Sequence, residues 1–338
     1  MLYIRTDINE IIATGHLMRC IAIADAAKQL GEDVTFILAD EQGKDDIEKR
    51  GYSTIILHTK WSDMEAELEK LQEIIKQYNI TSMLVDSYQV TERYLKELSR
   101  NIKILYIDDW AREHYSVSAL ICYMSHWKTL KHKECYFNAK LMLGLAYAPV
   151  RSVFQNLGEK EIRSEVENVL LLSGGTDNYD MLSKMLGILK TKEFKEIVAI
   201  CGRYYANTEA LIEEYRDYEN IRILRAVENI EDYMQEADLA ISAGGTTLYE
   251  LCACGTPTIS YAIVDNQIEN VNGFAQEGII EYAGDVRYDD VLDNINELVD
   301  KYRHDRGLRK MLSKSMQLMV DGNGASRIVE EWKRLLKE

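Results

Sequence analysis

The chain has 338 residues, a formal net charge of −16 and six cysteines. Because a single hydrophobic core stops growing at about 250–300 residues, we expect two domains. The acidic balance disfavours nucleic acid and membrane surfaces as partners, since both are polyanions. The chain enters a strand directly at Leu2 without a signal peptide, and no apolar run is long enough to span a bilayer. We therefore expect a cytoplasmic protein without stable membrane association.

Short apolar runs alternate with helical patterns through the first half of the chain. The predicted strands are Leu2–Ile4, Asp33–Ala39, Ser53–His58, Met83–Asp86, Ile104–Asp108, Ala119–Cys122 and Lys140–Leu143. One helix is predicted over 17–30, and a second runs to about Tyr78 from a capping box formed by Ser62 and Glu65. Near-continuous apolar strands separated by helices are typical of a parallel sheet covered on both faces.

The same alternation begins again after about residue 150. The predicted strands here are Asn168–Ser173, Glu196–Cys201, Ile221–Leu224, Leu239–Ser242 and Thr258–Ala262, followed by a charged helical stretch over 289–338. The pattern predicts an α/β protein of two doubly wound, Rossmann-like domains, 1–150 and 151–320.

A Gly-His pair lies between the first strand and the first helix. Gly15 permits a sharp turn, and His16 falls at or just before the first helical turn. Free amides and the positive end of the helix dipole favour an anionic ligand there and a neutral imidazole, the form that a general base needs. The alternative is a histidine that merely caps the helix.

Two glycine turns in the second half each follow an apolar strand and precede a helix. They carry Gly174, Gly175 and Thr176 in one case and Gly245 and Thr246 in the other. Adjacent glycines let main-chain N–H groups approach phosphate oxygens, although a Gly-Gly turn is often only a tight connection. Neither turn is a P-loop or a G-x-G-x-x-G motif, so no nicotinamide or flavin cofactor is indicated.

Polar residues beyond the second turn complete a candidate nucleotide site. Glu250 can accept hydrogen bonds from a ribose diol, or it can lie on a solvated helix face. Asn266 and Gln267 follow the next strand and suit a diphosphate, base edge or sugar hydroxyl. No metal is expected, because the chain has no D-x-D motif and the spacing of His126, His132 and Cys135 matches no zinc pattern.

Further polar residues fall at strand ends of the first domain, where open α/β sheets place ligands. Asp7 can accept from a sugar hydroxyl or orient His16, and Tyr88 offers a flat ring with a polar tip. Arg5 and Asp109 occupy similar positions. Each of them can instead be a loop residue that pairs internally.

An ordered set of motifs joins these residues. It comprises Arg5-Thr6-Asp7, Ala13-Thr14-Gly15-His16 with Arg19, Asp86-Ser87-Tyr88, Asp108-Asp109, the segment 144–154, Gly174–Asp177, Ser242–Glu250 and Asn266-Gln267. The set resembles the UDP-sugar hydrolase family of pseudaminic acid biosynthesis, which is similar to GT-B glycosyltransferases, and extends to about residue 280. The chain departs from the family at Ala13, where the family has glycine, and at Ser87, where histidine is common.

The resemblance implies a GT-B arrangement of two Rossmann-like domains facing a cleft, with helix 321–338 packing back on the first domain. UDP is then held mainly by the second domain, and the sugar of a UDP-linked 2,4-diacetamido-2,4,6-trideoxyhexose lies under the N-terminal loops. His16 and Asp7 are the implied catalytic residues, and Arg5, Gly15, Arg19, Tyr88 and Asp109 are expected to bind the small-molecule UDP-sugar. A glycosyltransferase of the same architecture and a non-catalytic sugar-nucleotide sensor remain alternatives.

Overall fold

The computed structural model describes residues 1–8, 15–202 and 204–337. Contacts divide the chain into two compact units, one of Met1–Ser152 with Gly322–Glu338 and one of Val153–Asp321. Each unit contains one parallel sheet with helices, which confirms the predicted α/β class with two Rossmann-like domains.

The sheet of the first unit has seven strands in the described residues. They are β1 (Leu2–Thr6), β2 (Val34–Leu38), β3 (Ser53–Ile56), β4 (Ser82–Asp86), β5 (Lys103–Ile107), β6 (Ala119–Cys122) and β7 (Lys140–Leu143). Every residue of β1, β2 and β4 is buried, as expected of central strands covered on both faces. The spatial order is β3-β2-β1-β4-β5-β6-β7, so the winding direction reverses between β1 and β4.

Helices connect these strands. They are α1 (Gly15–Gln29), α2 (Lys44–Glu48), α3 (Leu68–Gln77), α4 (Glu92–Ser99) and α5 (His132–Cys135). The capping box predicted at Ser62 is wrong. The helix α3 begins later, after a 3₁₀ turn over Glu65–Glu67, and Asp63 accepts the amide hydrogen bond of Ala66 at 3.2 Å. This short turn carries Glu67 into the interior, where no part of its side chain is exposed.

The sheet of the second unit has six strands in the described residues. They are β8 (Asn168–Leu172), β9 (Glu196–Cys201), β10 (Ile221–Arg225), β11 (Leu239–Ala243), β12 (Thr258–Ala262) and β13 (Glu281–Asp285). The helices are α6 (Met181–Leu189), α7 (Thr208–Tyr215), α8 (Ile230–Glu236), α9 (Thr247–Cys254), α10 (Asp265–Gln276), α11 (Val291–His304) and α12 (Arg306–Met319). The order β10-β9-β8-β11-β12-β13 reverses between β8 and β11.

The last helix, α13 (Gly324–Leu335), belongs to the first unit. Its buried Trp332 donates an indole hydrogen bond to Ser82 at 2.8 Å. A Cβ atom at Gly324 would lie 2.2 Å from the carbonyl oxygen of Ala148, so glycine is required where the helix begins against that segment. Among the residues that the structure describes, no helix combines the length and apolarity needed to cross a bilayer.

Candidate active site

The switch point of the first sheet gathers the chemistry of the first unit. Asp7 directly follows β1, Asp86 ends the neighbouring β4, and His16 is the second residue of α1. In doubly wound sheets, ligands bind outside the carboxyl ends of the strands at the point where the strand order reverses. The topology therefore brings together residues that lie far apart in the sequence.

His16 is oriented by Asp86. Its Nδ1 atom lies 2.9 Å from a carboxylate oxygen of Asp86, and the imidazole is 6% exposed. Because an ionised carboxylate only accepts hydrogen bonds, this contact assigns the proton to Nδ1 and leaves the lone pair of Nε2 free. Within the described residues Nε2 is buried and has no hydrogen-bond partner. The suggestion that Asp7 orients His16 is wrong, since Asp86 occupies that position.

Arg19 keeps Asp86 ionised. Its guanidinium makes two contacts with the Asp86 carboxylate, at 2.7 and 2.5 Å. Burial acts to raise the pKa of the Asp86 carboxyl, but Arg19 and His16 outweigh it, so the pKa lies well below its ordinary value. Arg19 also contacts Asp109 at 2.9 Å, and it is only 7% exposed. The predicted substrate ligand Arg19 is thus occupied in holding two carboxylates.

A second ionic network lies behind Asp7. Arg5 donates to the two carboxylate oxygens of Glu67 at 2.8 and 2.7 Å and to Asp7 at 2.6 Å. The other oxygen of Asp7 accepts the amide hydrogen of Ala39 at 2.8 Å. Arg5 has no exposed surface, so the predicted direct contact between Arg5 and substrate is wrong: a fully buried guanidinium holds Asp7 instead. Burial raises the pKa of the Asp7 carboxyl despite the opposing effect of Arg5.

Tyr88 joins the site to an aromatic stack. Its ring lies edge to face with His16, with 4.4 Å between ring centroids, and stacks on Trp110 at 4.3 Å. Its hydroxyl donates to Asp109 at 2.5 Å. Burial and the Asp109 carboxylate raise the pKa of Tyr88 well above its ordinary value, so the phenol remains a donor. Tyr88 is 42% exposed, which leaves part of the ring available to a ligand.

A small cavity lined mainly by polar residues lies beside His16. It has a volume of about 30 Å³ and is lined by Asp7, His16, Asp86, Ser87, Tyr88 and Gln89. A water molecule needs about 10–15 Å³ of such volume together with polar partners, so this space accommodates one or two waters. Ser87, a departure from the family pattern, lies in this wall, whereas Ala13, the other departure, lies outside the described residues.

The switch point of the second sheet carries both glycine turns. Gly174, Gly175 and Thr176 follow β8 and are exposed, and Gly245 and Thr246 follow the neighbouring β11. Thr246 is the N-cap residue of α9, and the amides of Leu248 and Tyr249 in the first helical turn donate to the carbonyl oxygens of Gly245 and Thr246, at 3.2 and 3.1 Å. The two turns therefore stand side by side at one edge of the sheet.

Close packing fixes each turn in place. A Cβ atom at Gly202 would lie 2.2 Å from the carbonyl oxygen of Gly174 and 2.4 Å from that of Gly175. At Gly244 a Cβ atom would lie 2.2 Å from Val271, a residue of α10. Both positions therefore require glycine, although neither was selected from the sequence as a site residue.

The remaining predicted nucleotide residues lie at the same edge. Gln267 is in the first turn of α10, where its side-chain oxygen accepts the amide hydrogen of Ile263 at 3.0 Å. Its amide nitrogen lies 4.0 Å from the position that a Cβ atom would take at Gly245. Asn266 is exposed beside it, and Glu250 is half-buried in the first turn of α9. These contacts bring Gln267 close to the second glycine turn.

A larger cavity of the second unit lies elsewhere. It has a volume of about 450 Å³ and is lined by residues 157–161 and by Asp238 and its neighbours. Asp238 immediately precedes β11, so this cavity lies at the amino ends of the strands. Ligands of doubly wound sheets bind at the opposite edge, and we therefore assign the candidate site to the glycine turns.

Known proteins resemble the chain in both sequence and fold. Residues 169–328 match the glycosyltransferase family 28 C-terminal domain. The spore coat polysaccharide biosynthesis protein SpsG of Bacillus subtilis is 24% identical over 198 residues, which cover 56% of this chain and 57% of SpsG. The UDP-N-acetylglucosamine–N-acetylmuramyl-(pentapeptide) pyrophosphoryl-undecaprenol N-acetylglucosamine transferase of Helicobacter pylori is 26% identical over 274 residues, covering 77% of this chain and 75% of the transferase.

Among solved structures, MurG of Acinetobacter baumannii superposes with a TM-score of 0.72 at 13% identity, covering 98% of this chain and 99% of MurG. This likeness establishes a shared GT-B fold. The chain spans little more than half the length of several curated relatives that it matches, including 57% of SpsG and 54% of an uncharacterized protein of Methanocaldococcus jannaschii.

Proposed function

We propose that the chain hydrolyses a UDP-linked 2,4-diacetamido-2,4,6-trideoxyhexose, in the biosynthesis of pseudaminic acid, a related nonulosonic acid or a surface polysaccharide. The observation that carries the proposal is the pairing of His16 with Asp86 at 2.9 Å, with Nε2 unpartnered in the described part of the chain, beside a small cavity with room for one or two waters. A base held in one tautomer beside a water-sized space suits activation of water.

The proposed reaction is a single displacement. Nε2 of His16 takes a proton from water while the water oxygen bonds to the anomeric carbon from the face opposite UDP. The bond between that carbon and the β-phosphate oxygen breaks, and UDP leaves with the electron pair. The products are the free sugar with inverted configuration and UDP. Asp86 stabilises the imidazolium that forms, because its carboxylate stays ionised.

UDP is proposed to bind the second unit without metal or cofactor. Amides of the glycine turns meet the diphosphate, Glu250 accepts from the ribose, and Asn266 or Gln267 contacts the diphosphate or sugar. Two observations support this assignment: the match of residues 169–328 to a glycosyltransferase C-terminal domain, and the naming of a relative for transfer from UDP-N-acetylglucosamine.

The sugar is proposed to lie against the first unit. Tyr88 supplies a ring face for an acetamido or methyl group, and Asp7 accepts a hydrogen bond from the attacking water or a sugar hydroxyl. Both residues line the cavity beside His16. Asp109 and Arg19 act through Tyr88 and Asp86, which they hold. Hydrogen-bonding groups such as Asp7 discriminate between sugars, because a missing substrate group leaves a buried partner unsatisfied.

A glycosyltransferase is the second candidate, favoured by the family 28 match and by the transferase relative. It passes the sugar to a polysaccharide or lipid hydroxyl in place of water. Incubation with UDP-sugars and no acceptor separates the two: a hydrolase releases UDP at once, whereas a transferase requires an added acceptor. A sensor releases no UDP under either condition.

His16→Ala tests the proposal directly. Loss of a general base costs about 10²–10⁴-fold in rate, so UDP release should fall by that factor while UDP affinity is retained. His114→Ala is the matched control, because His114 is an exposed histidine of the same unit outside the site. Turnover by His16→Ala that equals the turnover of His114→Ala would overturn the assignment.

A further inference from the structure

Three fully buried side chains lie behind Asp7 and take no part in the proposed chemistry: Arg5, Glu67 and Tyr94. We propose that Glu67 is a positioning residue, which fixes Arg5 so that Arg5 holds the Asp7 carboxylate at the wall of the His16 cavity. This inference rests on the proposed function, because it gives Asp7 a role there. It adds a residue, from the 3₁₀ turn before α3, that no motif of the sequence identifies.

The guanidinium of Arg5 is held from several sides. Its Nε and Nη2 atoms bond the two oxygens of Glu67 in a bidentate pair, and its Nη1 atom reaches both Asp7 and the carbonyl oxygen of Thr6 at 3.0 Å. Tyr94 donates to Glu67 at 2.7 Å and fixes the carboxylate in turn. Because the guanidinium group of Arg5 is planar and rigid, its bidentate contact with Glu67 also sets the direction in which Nη1 donates to Asp7.

A stabilising role alone does not explain this network. Burying ions costs so much desolvation free energy that a buried ion pair often stabilises a fold no better than apolar side chains do. Here two carboxylates share one guanidinium, so the group carries a net negative charge in the interior. The arrangement does, however, hold Asp7 at both oxygens, through Arg5 and the Ala39 amide, beside the catalytic histidine.

Glu67 also acts on the charge of Asp7. The titratable groups that face Asp7 in the described residues are Arg5 and Glu67 behind it, and His16 and Asp86 across the cavity. Burial raises the pKa of Asp7, Arg5 lowers it, and Glu67 raises it again by repulsion. Removing the charge of Glu67 should therefore lower the pKa of Asp7, because the repulsion between the two carboxylates is lost.

The test compares Glu67→Gln with Glu65→Gln. Glutamine keeps the shape of Glu67 and one acceptor for Arg5, so the guanidinium stays near Asp7 but is no longer clamped. Glu65 lies on the same 3₁₀ turn, bonds Thr91 and Arg93, and has no contact with Arg5, which makes it a matched control. Each variant is examined by carboxyl ¹³C titration of Asp7, assigned with Asp7→Asn, and by kcat and KM for UDP release.

We expect Glu67→Gln to lower the Asp7 titration midpoint and to lower kcat by about tenfold or more, with KM within twofold of wild type. Glu65→Gln should change neither. An unchanged Asp7 midpoint or an unchanged kcat in the folded variant would overturn the proposal, since a residue that only stabilises the fold would alter neither.

If Glu67→Gln does not fold, a second variant tests the proposal. Tyr94→Phe removes one hydrogen bond to Glu67 and keeps every charge, so kcat should fall several-fold without a change in KM. Wild-type kcat in folded Tyr94→Phe would then refute the role of the network. If the wild-type chain releases no UDP at all, the proposed function fails, and the Asp7 titration still decides the effect of Glu67.

Discussion

Substituting Asp86 by asparagine probes the link between His16 and its orienting carboxylate. The Asp86 side chain has no exposed surface and lies 2.9 Å from Nδ1 of His16. An asparagine amide can donate to Nδ1, which moves the imidazole proton to Nε2 and removes the base. It also removes the negative charge that stabilises the imidazolium. A hydrogen bond to a charged group contributes about 1.5–3 kcal/mol, and each 1.36 kcal/mol is about tenfold in rate.

The charge effect alone therefore predicts a loss of about 10–150-fold in kcat, and the change of tautomer extends it toward the full 10²–10⁴-fold of a general base. UDP affinity should be unchanged, because the proposed UDP contacts all lie in the second unit. Folding is monitored by thermal unfolding, since removing one partner of a buried pair costs about 3–5 kcal/mol. In Asp86→Asn, Arg19 still contacts Asp109 at 2.9 Å, so we expect a loss of stability at the lower end of that range.

Asp109→Asn is the matched comparison. It neutralises the other carboxylate on Arg19 and leaves the contact between His16 and Asp86 in place. Its loss of stability should resemble that of Asp86→Asn, and its loss of kcat should be smaller by tenfold or more. Equal losses of kcat in the two folded variants, or wild-type turnover in Asp86→Asn, would refute the orienting role.

Three further predictions follow from the geometry. Gly202→Ala should displace the first glycine turn and lower UDP affinity tenfold or more, as measured by calorimetry. Gly187→Ala is the control, because Gly187 lies in helix α6 and an added Cβ atom would enter open space. This variant should keep UDP affinity and gain up to about 1 kcal/mol of stability. Glu250→Ala should weaken UDP binding equally with magnesium and with EDTA; strict magnesium dependence would contradict a metal-free site. The pKa of Asp86 in the folded protein lies below the unfolded value of about 3.9. The ionised carboxylate therefore stabilises the fold above about pH 3.9, and this stabilisation is lost as the pH falls through the folded pKa. Below about pH 4, the thermal midpoint of Asp86→Asn should therefore decline less than that of the wild type.

The architecture could be predicted from the sequence because buried parallel strands are recognisable as short, near-continuous apolar runs. The runs that predict β4 and β11, for example, match the observed strands to within a residue or two. The start of α3 could not be predicted from the sequence. Asp63 accepts the amide hydrogen of Ala66 there, and Glu67 in the 3₁₀ turn pairs with the distant Arg5 in the interior.

The candidate site could be predicted from the sequence only in part. His16 and the glycine turns have local signatures, but the partners that give them their geometry are distant in the chain. Arg5 bonds Glu67 across 62 positions and Arg19 bonds Asp86 across 67, and no periodicity or spacing specifies such pairs. The position of Arg5 at a strand end therefore predicts a substrate ligand, whereas the fold buries its side chain completely. Trp110 and Gly202 also depend on neighbours that only the fold supplies.

The central claim, that water attacks the anomeric carbon, is tested most directly by turnover in ¹⁸O-labelled water. The UDP-diacetamido sugar and UDP-N-acetylglucosamine are each incubated with the protein without acceptor, and the products are analysed by mass spectrometry and by NMR of the anomeric configuration. The account predicts ¹⁸O in the released sugar, unlabelled UDP, an inverted anomer, and a much faster reaction of the diacetamido sugar. Label in UDP, a retained anomer, or no release of UDP from either substrate would contradict it.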